Sequence, residues 1–326
     1  MILQPLTLVI PTRDRPDFLE KCLRSVFSCQ AEIPSVIVSD NSITDHSAIA
    51  TLRRQYGFAY IRQSGKLSQT EHLNICCKEL PSTPWVLVLH DDDELYPDSL
   101  RKLNTFLSQC ENVGLVVAGI QYIDEQGTVR KEWIPKCHTT LRGEEALRYL
   151  GLEWRLRPPG MILSVQAVRK IGGYVEIGRT AADYVLATQL GYVSGVAFFP
   201  KFVGRFRQGI QQMTDVSTPE KSAEWLEFSI RQAELTAALG CSAATADQVM
   251  DYSTWWTFLG IASRWFPSQP SFVTQLARRS LHHSPRTGQW QRRVRREYPF
   301  LFWRPSWLAW KLCQFTQRAR RFLEKL

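Results

Sequence analysis

Three adjacent aspartates, Asp91, Asp92 and Asp93, directly follow the apolar run Trp85 to Leu89, so like charge is concentrated on one rim of an expected strand end. A lone aspartate in such a place reads as a solvated turn. Three together call for a cation or ligand to offset their repulsion, and oxygen-only ligands select a hard divalent ion, Mg²⁺ or Mn²⁺, over zinc. Two further polar clusters stand in the same relation to apolar runs: Pro11-Thr12-Arg13-Asp14 after Leu6 to Ile10, and Asp40-Asn41-Ser42 at the end of Ser35 to Ser39. Ligands of open α/β sheets bind outside the carboxyl ends of the strands, where all three clusters fall. Asp183 lies near the start of an expected helix, whose dipole favours the ionised carboxylate and hence a proton-accepting role; an ordinary helix N-terminal residue would look the same.

The elements that must position these residues alternate in type. Leu6 to Ile10 is a continuous apolar run of the kind found in a parallel sheet covered on both faces, and Pro16 opens an amphipathic helix carrying Phe18, Leu19, Cys22, Leu23, Val26 and Phe27. Strands are predicted at Ser35 to Ser39, Phe58 to Arg62 and Trp85 to Leu89. Helices are predicted from about Thr44 to Tyr56, from the capping box Ser68-Gln69-Thr70-Glu71 to Leu80, and from Pro97 onward. This order predicts a doubly wound α/β sheet. From Val113 to about Ile134 the pattern becomes an antiparallel hairpin turning at Asp124 to Gly127. A short helix at Gly143 to Leu150, a strand at Met161 to Ser164, helices at Gln166 to Ile171 and Thr180 to Leu190, and a strand at Val196 to Phe206 follow. A capping-box match from Ser217 to Glu220 begins a mainly helical remainder, which places a domain boundary at 216/217.

The composition is that of a globular protein. With 326 residues, 44% hydrophobic and 22% charged, and with no fixed repeat, the chain is neither disordered, fibrous nor a solenoid. None of the eight cysteines forms a C-x-x-C pair, so they are expected as small apolar residues in a reducing compartment. Met1 to Pro5 shows no basic segment leading into a long apolar one, and no apolar run reaches about 18 residues, so neither a secretory signal nor a membrane span is expected. A cytoplasmic location follows.

Several stretches, in register, resemble the family-two inverting glycosyltransferases of the GT-A fold: LTLVIPTRDRPDFLEKCLRSV, VIVSDNSITDHS, the helix bearing Asn74, WVLVLHDDDELYPDSL, PPGMILSVQAVRKIGGY and RTAADYVLATQLGYVSGVAFFPKFVGRFRQGIQQMT. The resemblance spans roughly residues 5 to 215. It implies a GT-A domain over 1–216, with a nucleotide-sugar-binding half at 1–110 and an acceptor and catalytic half at 111–216, before a helical, basic, Trp-rich region at 217–326. It further implies that Pro11, Thr12 and Arg13 line the nucleotide pocket with Asn74, that Asp40 contacts the base, and that Asp91 to Asp93 hold the ribose and a Mn²⁺ or Mg²⁺ bridging the diphosphate. Asp183 would be the catalytic base. Two departures stand out: alignment on Pro97 puts His90 at the first acidic position, and Ala182 replaces the glutamate that commonly precedes the base. Arg205, Arg207 and Gln212, following the Val196 strand on a glycine-containing loop, are placed either to close over the diphosphate or as solvated charges.

The expected reaction is transfer of a sugar from a nucleotide diphosphate donor, a UDP-sugar, to a hydroxyl of a glycan or lipid-linked acceptor in envelope polysaccharide or glycolipid synthesis. The alternative is a catalytically silent sugar-nucleotide-binding or regulatory protein of the same fold. The chemistry agrees with the first reading, because an oxocarbenium-like transition state needs a stabilised leaving diphosphate and an acceptor hydroxyl deprotonated as it attacks.

Charge is unevenly spread. Residues 251 to 326 hold 14 basic residues against three acidic ones, whereas the whole chain is +9. Arginines alternate with aromatics from Trp290 to Arg321, which suits an anionic membrane surface; a tail packed on the catalytic domain is the competing reading. Peripheral attachment to the inner face of the membrane is therefore expected. Nucleic acid is not, because the strand-end crevice is acidic.

Overall fold

The computed structural model describes residues 6–28, 35–44, 47–97, 99–151, 156–177, 180–181, 183–209, 218–265 and 268–279. It divides into two compact units, Met1–Gln212 and Met213–Leu326.

The first unit is built on a nine-stranded sheet. Strands β1 (Leu6–Thr12), β2 (Ser35–Asp40), β3 (Ala59–Arg62) and β4 (Trp85–Val88) pair in parallel in the order β3-β2-β1-β4. Between them run helices α1 (Pro16–Phe27), α2 (Ser47–Tyr56) and α3 (Gln69–Asn74), the last continued by a π-helical turn at Ile75–Glu79. Alternation along β1 explains its unbroken apolar sequence. Leu6, Leu8 and Ile10 face a core completed by Leu19, Cys22, Leu23 and Val26 of α1, while Val9 faces a second core holding Leu73, Cys76 and Cys77. Cys22, Cys76 and Cys77 are buried free thiols whose pKa values burial pushes up, so they behave as small apolar residues.

Beyond β4 the sheet is mixed rather than parallel throughout. After the two-residue β5 (Glu94–Leu95) and α4 (Ser99–Leu107) come the long β6 (Leu115–Ile123) and its hairpin partner β7 (Val129–Trp133). Helix α5 (Gly143–Gly151) leads to β8 (Met161–Ser164), which inserts antiparallel between β4 and β6. Helix α6 (Val165–Ile171) ends on Gly172, and β9 (Glu176–Ile177) pairs with β10 (Thr180–Ala181). The helix expected from Thr180 begins only at Asp183, as α7 (Asp183–Ser194), because Thr180 and Ala181 are spent on that ribbon. Strand β11 (Val196–Arg207) then runs parallel to β6 and receives β5 antiparallel on its other side. The β5–β11 pairing binds the aspartate loop to the far half of the sheet.

The second unit contains α8 (Pro219–Ala237), α9 (Ala243–Trp265) and α10 (Pro270–Arg279). Thr218, not Ser217, caps α8 through the Lys221 amide at 3.3 Å. The indole of Trp265 donates to Ser222 Oγ at 2.8 Å, closing the end of α9 on the start of α8. No described helix is long and apolar enough to cross a membrane. The arginine and tryptophan run from Trp290, like Gln212, lies outside the described residues.

Candidate functional site

The strand-end loops are stitched to one another before any ligand is considered. Pro11 and Thr12 end β1 opposite Ser39 and Asp40 of β2. The Asn41 amide donates to the Thr12 carbonyl at 2.9 Å, and Asp14, in the left-handed region at φ 54°, donates its N–H to Ser42 Oγ at 2.8 Å. The Asp14 carboxylate accepts from the Ile43 amide at 3.1 Å, which helps to hold that backbone conformation. Arg13 is half-exposed and reaches the Leu67 carbonyl at 3.3 Å, which also accepts from the Asn41 side chain at 3.0 Å.

Asp40 is buried at the end of β2, and its own chain fills its acceptor positions. Oδ1 accepts from the Ser42 amide at 2.8 Å and Ser42 Oγ at 2.5 Å; Oδ2 accepts from Tyr60 and Arg62, each at 2.7 Å. Burial pushes the Asp40 pKa up, but these bonds outweigh it and hold the carboxyl below its ordinary range, while burial and Asp40 push the Tyr60 phenol up to about 12.

The second loop runs from His90 to Glu94. Asp91 is buried, accepting from Thr12 Oγ1 at 2.7 Å and Arg15 Nη2 at 2.5 Å, and burial raises its pKa to about 6 against the opposing pull of Arg15. The other arm of Arg15 reaches Asp92 Oδ2 at 3.1 Å. Asp93 accepts the Arg207 amide on Oδ1 at 2.9 Å, leaving Oδ2 buried without a partner, and its pKa is pushed far up by burial and then by Asp92. His90 Nε2 is likewise buried and unpartnered. Ligand atoms of His90, Asp92 and Asp93 lie within 4.8 Å of one another, the one such metal-sized group among the described residues. Asp91 is not in that group.

Arg205 and Arg207 lie within β11 itself, not on a loop after it, and are committed to the same acidic loop. Arg207 is buried and donates to the carbonyls of Asp92 at 2.9 Å, Asp124 at 2.8 Å and Glu125 at 3.0 Å, and pairs with Glu94. Arg205 donates to Gln121 Oε1 at 3.1 Å, lies 3.5 Å from Glu94 and stacks over Tyr96. Pairing along β11 fixes both arginines as supports of the loop.

Asp183 is the first residue of α7, yet its carboxylate is drier than a helix N-terminus alone suggests. Its Oδ1 is enclosed and unpartnered, and burial raises its pKa, with His90, Tyr174 and Arg157 opposing the rise. Asn74 points its amide at a backbone: Nδ2 donates to the Tyr174 carbonyl at 3.0 Å, and Oδ1 accepts the Tyr174 amide at 2.8 Å.

Four residues of this constellation escape pattern reading: Arg15, His90, Glu94 and Tyr174. The second arginine of Arg13-Asp14-Arg15 carried the signal for the first, since Pro16 starts the helix and leaves the Arg15 side chain beside the strand ends. His90 was marked only by its position in alignment. Nothing local marked Tyr174.

The fold resembles that of S. aureus TarS 1-349, with a TM-score of 0.61 and 12% identity over 96% of this chain and 91% of that one. The same protein in complex with UDP-GlcNAc matches at TM-score 0.61, 13% identity and the same coverage. The mannosyltransferase PcManGT from Pyrobaculum calidifontis, solved with GDP-Man and Mn²⁺, matches at TM-score 0.53 and 12% identity over 88% of this chain and 83% of that one. These likenesses establish a GT-A fold. A curated relative, the uncharacterized protein MT1568 of Mycobacterium tuberculosis, is 29% identical over 100 residues, 30% of this chain, and the match spans only 31% of that relative's length. The model of glycosyl transferase family 2 matches residues 7–172, just over half of the chain, including the loops after β1, β2 and β4 but not Asp183 or β11, and the protein belongs to that family.

Proposed function

We propose that the protein is a metal-dependent inverting glycosyltransferase that moves a sugar from a UDP-sugar to a hydroxyl of a glycan or lipid-linked acceptor. One observation carries this reading: His90 Nε2 and Asp93 Oδ2, in the loop after β4, and Asp183 Oδ1, at the start of α7, are buried polar atoms without partners. Buried polar groups ordinarily find a partner, so such atoms mark places for a ligand.

One nitrogen and two carboxylates suit a first-row divalent ion such as Mn²⁺ better than Mg²⁺, because imidazole favours the transition metals. The ion bound to PcManGT supports the same choice. Bound there, it would neutralise the charge that develops on the leaving diphosphate. The protein's own groups do the rest. Arg15 orients Asp92, Arg207 orients Asp93, and Asp40 lies at the edge where the base would sit, though a base contact there requires one of its present donors to give way. Asp183 accepts the acceptor hydroxyl's proton as that oxygen bonds to the anomeric carbon and the bond to the diphosphate breaks on the opposite face. A carboxylate whose pKa burial has raised is the stronger base for that step.

A thermal-shift screen of nucleotide sugars with Mn²⁺ tests the reading, since a ligand at 100 times its Kd adds about 2.7 kcal/mol. Stabilisation by a UDP-sugar with Mn²⁺, lost with chelator, is expected. No response to any nucleotide sugar would count against it.

A further inference from the structure

Three arginines meet the acidic loop after β4, and one is held unlike the others. Arg205 and Arg207 are fixed by strand pairing along β11, and Arg207, with its side chain 5% exposed, spends its donors on three backbone carbonyls and Glu94. Arg15 stands outside the sheet, just before Pro16 opens α1, and its side chain is 37% exposed. Its hydrogen bonds go to two carboxylates at different depths. Nη2 donates to Asp91 Oδ1 at 2.5 Å, on a side chain with no exposure, and Nη1 to Asp92 Oδ2 at 3.1 Å, on one that is 25% exposed. Thr12 holds the other oxygen of Asp91, and the guanidinium lies over the Phe18 ring, 5.7 Å from its centre. The inner arm of Arg15 is therefore anchored while the outer arm lies at the rim. There it shares Asp92 with the metal-sized group, in which Asp93 Oδ2 and His90 Nε2 are buried without partners.

We propose that Arg15 is a donor-binding residue that exchanges partners: its outer arm holds Asp92 in the metal-free protein and passes to the donor's diphosphate when Asp92 turns to a divalent ion, while its inner arm stays on Asp91. The inference rests on the reading of His90, Asp92 and Asp93 as metal ligands. A planar guanidinium suits the exchange, because its fork meets a carboxylate or a phosphate with the same geometry. Charge favours it too. With a divalent ion on Asp92, Arg15 faces a like charge, which the diphosphate oxygens offset. Arg15 thus orients Asp92 and competes with the ion while no nucleotide is present, and supports it once one is. The two ligands are thereby coupled, and the coupling is reciprocal.

The test compares full-length parent protein and Arg15→Gln in two affinities, for Mn²⁺ alone by paramagnetic resonance and for UDP with saturating Mn²⁺ by calorimetry. Losing the competitor for Asp92 should strengthen Mn²⁺ alone by about threefold, the effect of one partly exposed ion pair. Losing the diphosphate contact should weaken UDP by about 10- to 100-fold, the effect of one hydrogen bond to a charged group. The opposite signs matter, because removing a residue that merely props the loop would weaken both ligands. Arg15→Lys keeps a charge for Asp91 without the fork and should show the same two signs with smaller changes; it decides the matter if Arg15→Gln does not fold. If Mn²⁺ alone is not strengthened, or UDP is not weakened, the exchange is overturned and the metal reading stands. A parent protein that binds no Mn²⁺ would instead overturn the metal reading and the exchange with it.

Discussion

Asp40, the last residue of β2, and Asp93, in the loop after β4, both lie buried at the carboxyl edge of one sheet, yet their carboxylates meet opposite fates. Asp40 receives four donors from Ser42, Tyr60 and Arg62, and its pKa falls below the ordinary range. Asp93 receives one backbone amide, keeps Oδ2 bare, and its pKa is driven far up. The first is satisfied by its own chain. The second keeps a buried oxygen without a partner, which is costly unless a ligand supplies one, and on the proposed function that ligand is the metal ion.

Asp183 belongs with the second kind, and replacing it should give the largest effect. Asp183→Asn should slow sugar transfer by roughly 10² to 10⁴ while leaving donor affinity intact, as measured by steady-state kinetics and direct binding. A matched pair of variants read by Mn²⁺ paramagnetic resonance separates the two aspartates. Asp93→Asn should weaken Mn²⁺ by about 100-fold, at least the loss expected when a group merely supporting a metal ligand is removed. Asp40→Asn should leave Mn²⁺ affinity alone and cost about 1 to 3 kcal/mol in urea unfolding, because its effect lies in hydrogen bonds to a charged group. If both variants lose metal equally, the two loops are not different in kind.

Arg207 connects the reserved loop to β11, and its loss tests that support. Arg207→Met should destabilise the fold by about 3 kcal/mol, the lower range for breaking a buried ion pair, since three backbone carbonyls each lose a donor and Glu94 keeps only Arg205. Denaturant midpoints would read this directly.

The smallest effect is a dependence on pH. His72 is buried on Ser39 Oγ at 2.9 Å, and burial lowers its pKa to about 4. Because its folded pKa lies below its unfolded one, its stability is complete above about pH 6.5 and is lost as pH falls towards 4, by up to about 3 kcal/mol. Asp91, Asp93 and Asp183, with raised pKa values, act with the opposite sign over the same range and mask it in the parent protein. The difference between parent and His72→Gln unfolding curves at pH 7 and pH 4.5 isolates the histidine. A constant difference would contradict its assignment as a neutral buried ring.

Much of this was legible from residue order. Strands buried on both faces announce themselves as apolar runs, so β1, β2 and β4 and the polar clusters at their ends could be placed from sequence. Partners brought from a distance could not. The turn after β4 points Asp91 towards Thr12 and Arg15 and Asp93 towards Arg207, 114 residues away, so three identical neighbours acquire three different environments. His90 replaces Asp91 in the metal-sized group for the same reason. The antiparallel insertion of β8 was equally invisible, since a four-residue apolar strand carries no mark of its direction. Tyr174 depends on an amide 100 residues earlier in the chain.

On the proposed function, the group formed by His90, Asp92 and Asp93 binds a nucleoside diphosphate only through a divalent ion. Calorimetric titration of UDP into the full-length protein, with Mn²⁺ and then with chelator, tests it most directly. Binding should weaken at least tenfold with chelator and should no longer respond to Mn²⁺ in the Asp92→Asn, Asp93→Asn double variant. Equal UDP affinity with and without the ion would contradict it.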